Sequence, residues 1–563
     1  MQLQHIYQRL RETAVVVGLT GAVGSGCTES AKFLAKKELS NDLFTKIENS
    51  VINNITSYDN LEIYRLRKIK FFLDEKGWKD FFHLKLSDLL FCIFFAGINE
   101  EKKIDYKVDD WLPNKEKLQE AKNLSRNLYC LIKNNAQIKE SNTNSVKITK
   151  KLNMLGDFIR KNVKKKRTNY TNIFQRIGSE LRENGLSIHI KEEPSKETNV
   201  FTLTEFAVKA INLLQKEGIN FITVDALRNT YEINYMKASF SNFYLFSLNS
   251  ERKIREGRLM RSFGYTSNDI NKIQSLETEE KKFHSQNINT CISNGDVFVS
   301  NNTNKEHLYY HFLKYVCLIR KPGLFTPTTD ERNMQIALTA RYNSGCISRQ
   351  VGACVTGRDG YILGVGWNDV PENSIPCLYR SSASLILDDY TNSSDFSSYE
   401  KSSDFKKYIK QEIGARNDPF CFKDLENKQQ ITIRLNKITE GTALNVSEQE
   451  KLQNLYKNPS RERALHAEEN AFLQSAKVGG SPLKDGTLYS TASPCQLCAK
   501  KAMQLGIKRI VYIDAYPDIS IDQTLKSGPE DRQPKLEQFS GAAESAFMKL
   551  FKPLINIKDE LYA

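Results

Sequence analysis

The feature that most restricts how this chain can fold is a set of metal-ligand residue types at fixed spacing. His466-Ala467-Glu468 is followed by Pro494-Cys495-Gln496-Leu497-Cys498. Helical patterning covers Ala464 to Ser475 and Cys495 to Leu505, and an apolar strand, Gly486 to Ser490, lies between them. One imidazole and two thiolates make three corners of a tetrahedral Zn²⁺ site and leave the fourth for water. To use all three, the chain must bring the starts of two helices to one point. Cys-x-x-Cys at a helix start lets both sulfurs face one ion, and the helix N-terminus favours thiolate charge. Glu468, two residues after His466, is placed to reach that water without ligating the ion, as a general acid and base. His466, Cys495 and Cys498 are therefore the candidate zinc ligands and Glu468 the candidate catalytic residue. A closed structural site would need a fourth donor, for which Cys346, Cys354, Cys377 and Cys421 are conceivable.

With 563 residues the chain exceeds what one hydrophobic core spans, about 250–300 residues, so at least two cores are expected. Apolar residues at 40% and charged residues at 26% exclude a chain disordered throughout. The best apolar run, Leu89 to Ile98, is half of the roughly 20 residues a membrane span requires, and reads as a buried strand or core helix. No secretory apolar region precedes Arg9, Arg11 and Glu12. Eleven cysteines, an odd number scattered along the chain, do not form a secreted disulfide framework, and a reducing cytoplasm is the expected compartment. The net charge of +14 favours anionic partners such as nucleotides, phosphates or RNA. Its clearest local run is Lys164-Lys165-Lys166-Arg167, a solvated face or a phosphate contact.

The amino-terminal segment reads strand, glycine loop, helix: Ala14 to Leu19, Thr20 to Thr28, Glu29 to Lys37. Gly21-Ala22-Val23-Gly24-Ser25-Gly26-Cys27-Thr28 fits the phosphate-loop pattern G-x-x-x-x-G-K-[ST], except that Cys27 stands in place of lysine. Amides of Gly21, Gly24, Ser25 and Gly26 are candidates to cradle phosphate at the helix N-terminus, and Thr28 keeps the hydroxyl that ligates Mg²⁺. The missing ammonium removes the charge that normally follows the β- and γ-phosphates. Phe221 to Val224 and Phe243 to Leu248 read as strands separated by helical segments, which suggests a parallel α/β sheet. Asp225 is a candidate second Mg²⁺ contact and Arg228 a candidate phosphate contact. The loop reads as a site for Mg²⁺ with ATP, GTP or a deoxynucleotide, used for regulation or phosphotransfer, or as a degenerate loop that binds little.

Val351 to Thr356 and Tyr361 to Gly366, around Asp359-Gly360, read as a hairpin. Gln350 to Val355, Gly364-Val365-Gly366-Trp367-Asn368-Asp369-Val370-Pro371, His466 to Ala471, Ser493 to Lys500 and Lys508 to Tyr512 together resemble the deoxycytidylate deaminases of the zinc-dependent cytidine deaminase superfamily. The resemblance implies a three-layer α/β/α fold and hydrolysis of the cytosine amino group to give uracil and ammonia. It implies that Asn368 holds the deoxyribose and that the Ala467 backbone helps read the base. Two departures stand out: Asp369 occupies a usual glycine position, and the gap from Pro371 to His466 is unusually long.

A P-loop kinase-like domain followed by such a deaminase domain resembles the bacterial anti-phage dCTP/dCMP deaminases. The expected architecture is α/β throughout. It comprises a P-loop nucleotide-kinase-like domain at 1–285, a linker region at 286–325, and a cytidine-deaminase-like domain at 326–563 with an insertion at about 371–460. The expected function is zinc-dependent hydrolytic deamination of free dCTP or dCMP to dUTP or dUMP, which depletes dCTP as an antiviral defence. The resemblance also implies a homo-oligomer, often a hexamer, and permits an inhibitory RNA partner; no membrane partner is expected. Two alternatives remain: a polynucleotide cytidine or adenosine deaminase, and a catalytically silent nucleotide- or RNA-sensing protein.

Overall fold

Six consecutive buried residues, Val15 to Thr20, make a strand covered on both faces, the pattern of an inner strand in a parallel sheet. The computed structural model describes residues 11–54, 61–97, 112, 115–133, 147–163, 167–185, 197–277, 286–389, 391–392, 394–438, 462–479, 482–515 and 520–562. Among these, the strands are β1 (Val15–Thr20), β2 (Phe82–Lys85), β3 (Phe221–Asp225), β4 (Phe243–Asn249), β5 (Val297–Ser300), β6 (Gly352–Thr356), β7 (Ile362–Trp367), β8 (Thr487–Ala492), β9 (Arg509–Asp514), β10 (Lys535–Gln538) and β11 (Gly541–Ala542). The helices that bear on the sites are α1 (Cys27–Leu34), α2 (Leu86–Gly97), α3 (Arg252–Phe263), α4 (Ser267–Glu277), α5 (Lys305–Arg320), α6 (Ala467–Lys477), α7 (Gln496–Gln504) and α8 (Glu544–Phe551). The chain forms two compact units, residues 1–331 with 540–563, and residues 332–539.

The first unit holds a six-stranded sheet in the order β11-β5-β4-β1-β3-β2, parallel except for β11 against β5. Parallel pairing needs crossovers that place helices on the faces. The apolar run from Leu89 forms the core helix α2, buried nearly all round, on one face. Phe33 of α1 and Phe312 and Tyr315 of α5 pack in the core cluster that contains Val15 and Val17 of β1.

Residues 286–325, expected as a linker region, hold the helix Ile288–Ser293, β5 and α5. Their Asn-rich composition serves helix capping: Asn287 accepts from the Thr290 amide and Asn304 from the His307 amide. Residues 540–562, expected in the second domain, return to the first sheet through β11, where Gly541 pairs with Phe298. Ala546 and Leu550 of α8 then bury themselves in its core.

The second unit holds a five-stranded sheet in the order β10-β9-β8-β6-β7. β6 and β7 form the expected antiparallel hairpin, with Gly360 at φ +79° in its turn. β8 runs antiparallel to β6 and parallel to β9. On β7, a Cβ at Gly364 would lie 2.2 Å from the Ala471 carbonyl oxygen, and one at Gly366 would lie 2.3 Å from the Ala467 oxygen. The backbone of α6 therefore rests directly on the strand, and only glycine fits beneath it.

The expected insertion carries a small core of its own, built from Leu385, Phe396, Phe405, Ile409 and Phe420. Arg380 lies 4.5 Å and 5.4 Å from the ring centroids of Phe396 and Phe420 and pairs with buried Glu400. The remainder of that insertion, residues 439–460, lies outside the described residues, as do the chain start at residues 1–10, the loop at 140–145 and Lys164 to Lys166. Among the described residues no helix is long and apolar enough to cross a membrane.

The glycine contact yields a direct test. Gly366→Ala should destabilise the protein by about 1–3 kcal/mol, the usual range for overpacking a core, as read from denaturant unfolding.

Candidate functional site

The ends of two secondary-structure elements converge in the second unit. His466 is the N-cap of α6 and Cys495 the N-cap of α7, both with extended backbone, and Cys498 lies in the first turn of α7. β8 delivers the chain to Cys495 through Ser493 and Pro494. His466 Nδ1 is 3.2 Å from Cys495 Sγ and 3.4 Å from Cys498 Sγ, and the three ligand atoms lie within 4.8 Å of one another. Zn–N bonds of about 2.0–2.1 Å and Zn–S bonds of about 2.3 Å imply N···S edges of roughly 3.6 Å in a tetrahedron. The donor set thus fits zinc in both chemistry and spacing. Among the described residues, none of Cys346, Cys354, Cys377 and Cys421 joins the group. Burial pushes the Cys354 and Cys421 thiols up to about 12, which keeps them neutral.

The cluster is strongly polarised. Hydrogen bonding from Cys498 and His466 holds the Cys495 thiol down at about 4. The same bond to Cys495, together with burial, pushes the Cys498 thiol up. Bonds to Cys495 and Glu462 raise His466 to about 10. Glu468 is 4% exposed, and burial raises its carboxyl pKa, the environment a proton-carrying carboxylate requires.

Glu462 was not singled out from the sequence. Its Oε2 lies 3.4 Å from His466 Nε2 and its Oε1 lies 3.4 Å from Lys423 Nζ. A carboxylate on the far nitrogen of a ligating histidine fixes the ring and its tautomer. The sequence signal for it was only an acidic residue four positions before His466. Glu462→Gln should weaken zinc binding about 10–100-fold in a chelator competition titration.

Asn368 and Ala467 are placed differently from each other. Ala467 is fully buried at the start of α6, above Gly366. Asn368 follows β7 and spends its amide on its own chain: Nδ2 donates to the Arg349 oxygen at 2.7 Å, while Oδ1 accepts from the Val351 amide at 2.6 Å and from Ser344 Oγ at 3.0 Å. It braces residues 344–351. Asp369 accepts from the Gly345 amide at 3.3 Å, so the departure from glycine supports the same turn.

In the first unit, β1 runs into the glycine loop. Gly24 and Gly26 adopt φ +86° and +110°, and a Cβ at Gly26 would lie 2.5 Å from Asn301 Nδ2. α1 begins at Cys27, two residues earlier than the patterning indicated, because left-handed Gly26 serves as its N-cap. Register sets Leu19 beside Asp225, and Thr28 Oγ1 donates to Asp225 Oδ2 at 2.9 Å. His83 Nε2, which the sequence did not signal, lies 3.0 Å from the same oxygen. Burial would raise the Asp225 pKa, but the bonds from His83 and Thr28 prevail and hold it below the usual carboxylate range. Burial and Asp225 push the Cys27 thiol up to about 12, so it carries no charge. Ser25 Oγ lies 3.6 Å from Cys27 Sγ, and the Ser25 amide closes a turn onto the Ala22 oxygen within the segment that Gly21 opens. Arg228 Nη1 donates to Glu277 at 2.5 Å.

Residues 327–514 match the family model described as the cytidine and deoxycytidylate deaminase zinc-binding region. The deoxycytidylate deaminase of Enterobacteria phage T2 is 27% identical over 183 residues, covering 32% of this chain and 78% of that protein. The enzyme of Enterobacteria phage T4 is 26% identical over 184 residues, covering 32% and 76%. Among solved structures, dCMP deaminase from the cyanophage S-TIM5 in complex with dCMP and dUMP is 20% identical, with a TM-score of 0.21, covering 37% of this chain and 95% of that one. A region of the cytidine and deoxycytidylate deaminase type, with His466, Cys495 and Cys498 clustered inside it, thus spans residues 327–514.

Proposed function

We propose that the second unit hydrolyses the exocyclic amino group of a free deoxycytidine nucleotide, dCMP or dCTP, releasing ammonia and leaving the uracil nucleotide. The observation that carries this reading is a buried carboxyl, Glu468, two residues after the imidazole of a His466–Cys495–Cys498 cluster to which the described residues add no fourth donor. Zinc bound to His466, Cys495 and Cys498 supplies Lewis acidity that brings the pKa of a water towards about 7. Glu468 accepts a proton from the attacking water and delivers it to the ring nitrogen. It then takes the second proton from the hydroxyl formed at the attacked carbon and passes it to the amine, whose bond to that carbon breaks, so that water and cytosine become uracil and ammonia. Its burial suits both roles, because a raised pKa narrows the gap between its charged and neutral forms. The Ala467 backbone, held down by Gly366, lines the base position. Asn368 orients the sugar with the amide hydrogen left over from its bond to Arg349, and its bracing bonds keep that amide from turning.

The same proposal assigns the glycine loop of the first unit to a Mg²⁺-nucleotide, with Thr28 and Asp225 on the metal side. The loop regulates the deaminase in this reading. The whole chain acts as a cytoplasmic homo-oligomer that lowers the deoxycytidine nucleotide pool during phage infection and is open to restraint by RNA. These extensions rest on the pairing of the two motifs in one chain and on its basic charge.

The test incubates the zinc-loaded chain with dCMP, dCTP, CMP and CTP and follows uracil nucleotides by mass spectrometry. Deoxynucleotide products should form, and Glu468→Ala should reduce their rate at least about 10²-fold with zinc retained. Wild-type turnover by the variant, or deamination of a single-stranded polynucleotide alone, would overturn the assignment.

A further inference from the structure

The glycine loop of the first unit already touches an anion, and the chain supplies it. Glu277, the last residue of α4, has a side chain only 2% exposed. Its Oε1 accepts from the backbone N–H of Val23, inside the loop, at 2.9 Å, and from Arg228 Nη1 at 2.5 Å. The placement is held by packing. Ile270 and Ile273 of α4 bury themselves with Leu259 and Tyr265, and Val23 packs against this cluster. On the other side of the loop, Arg255 donates to the Val23 oxygen at 3.3 Å. A loop N–H and a guanidinium are the two donor types that bind phosphate oxygens, and a carboxylate is the side chain closest to phosphate in charge and acceptor geometry. The charge of Arg228 also acts on Cys27, which stands where the loop lacks its lysine, and on Asp225.

We propose that Glu277 is a resident competitor: it fills a phosphate position at the 21–28 loop, and a nucleotide phosphate binds there by taking the Val23 N–H and Arg228 from it. The inference rests on the reading of the loop as a nucleotide site and adds how that site is restrained. The ligand class follows from the exchange. It must carry more than the single charge of a carboxylate, as a polyphosphate chain does, and Arg228 then supplies the cation that Cys27 does not. The glutamate has a second role while no ligand is bound, because it neutralises an arginine that is only 23% exposed.

The test is calorimetric titration of the full chain with inorganic triphosphate and with ATP, each with Mg²⁺. Glu277→Gln keeps the shape and leaves Arg228 without its counter-charge, so both ligands should bind at least about tenfold tighter than to the unaltered chain. Arg228→Gln in the same background should remove the gain. Equal affinity for the unaltered chain and Glu277→Gln would overturn the competitor while leaving the nucleotide loop standing. A gain for ATP with none for inorganic triphosphate would place the effect at the nucleoside and would also overturn it. Absence of binding to either protein would overturn the loop reading itself. Should Glu277→Gln fail to fold, Glu277→Asp, which keeps the charge but shortens the reach by one methylene, should show a smaller gain, and unchanged affinity would count against the proposal.

Discussion

The contact on which the second unit depends is backbone against backbone. Gly364 and Gly366 leave β7 bare, and the first turns of α6 rest on that surface. This sets the height of His466 at the helix start relative to Cys495, which arrives from β8 two strands away in the sheet. A Cβ at Gly364 or Gly366 would press against the α6 backbone and displace the helix start that carries His466. The chemistry of an imidazole and two thiols is therefore positioned by residues that have no chemistry of their own.

Both units solve their problem with the same local device, a strand that ends in a tight connection to a helix N-terminus. In the second unit β8 leads in this way to α7, whose start faces that of α6 at His466, and hydrogen bonds from Cys498 and His466 stabilise the Cys495 thiolate. In the first, Gly24 and Gly26 turn the backbone so that α1 begins at the loop, and the charge brought there belongs to Glu277. The two sites differ in what surrounds them. Around His466, Glu462 with Lys423 fixes the imidazole of the candidate zinc ligand. Around the glycine loop, Arg228 and Glu277 satisfy each other.

Much of the metal cluster was legible in the sequence, because its ligand types and spacing are local and the intervening strand–helix pattern is strongly periodic. The glycine loop and the strands that begin at Val15, Phe221 and Phe243 were legible for the same reason. The misplaced boundary at 286–325 has a physical cause. Asn287 and Asn304 cap helices, yet by composition they resemble loop residues, and β5 is too short to show a period. The return of residues 540–562 to the first sheet was hidden because a two-residue strand carries no pattern and its partner Phe298 is distant in sequence. Asn368 matched a motif, but its bonds to Arg349 and Val351 depend on a turn that no motif describes. Glu277 and His83 left no signal at all, since each acts on a group far away in the chain.

The central claim is that the described cluster offers zinc three protein ligands and an open fourth position beside Glu468. X-ray absorption at the zinc edge of the loaded protein tests it most directly. The account predicts two sulfur scatterers at about 2.3 Å and two light-atom scatterers at about 2.0–2.1 Å, of which His466 supplies one. A third sulfur in the first shell would make the site closed and structural and would contradict the account.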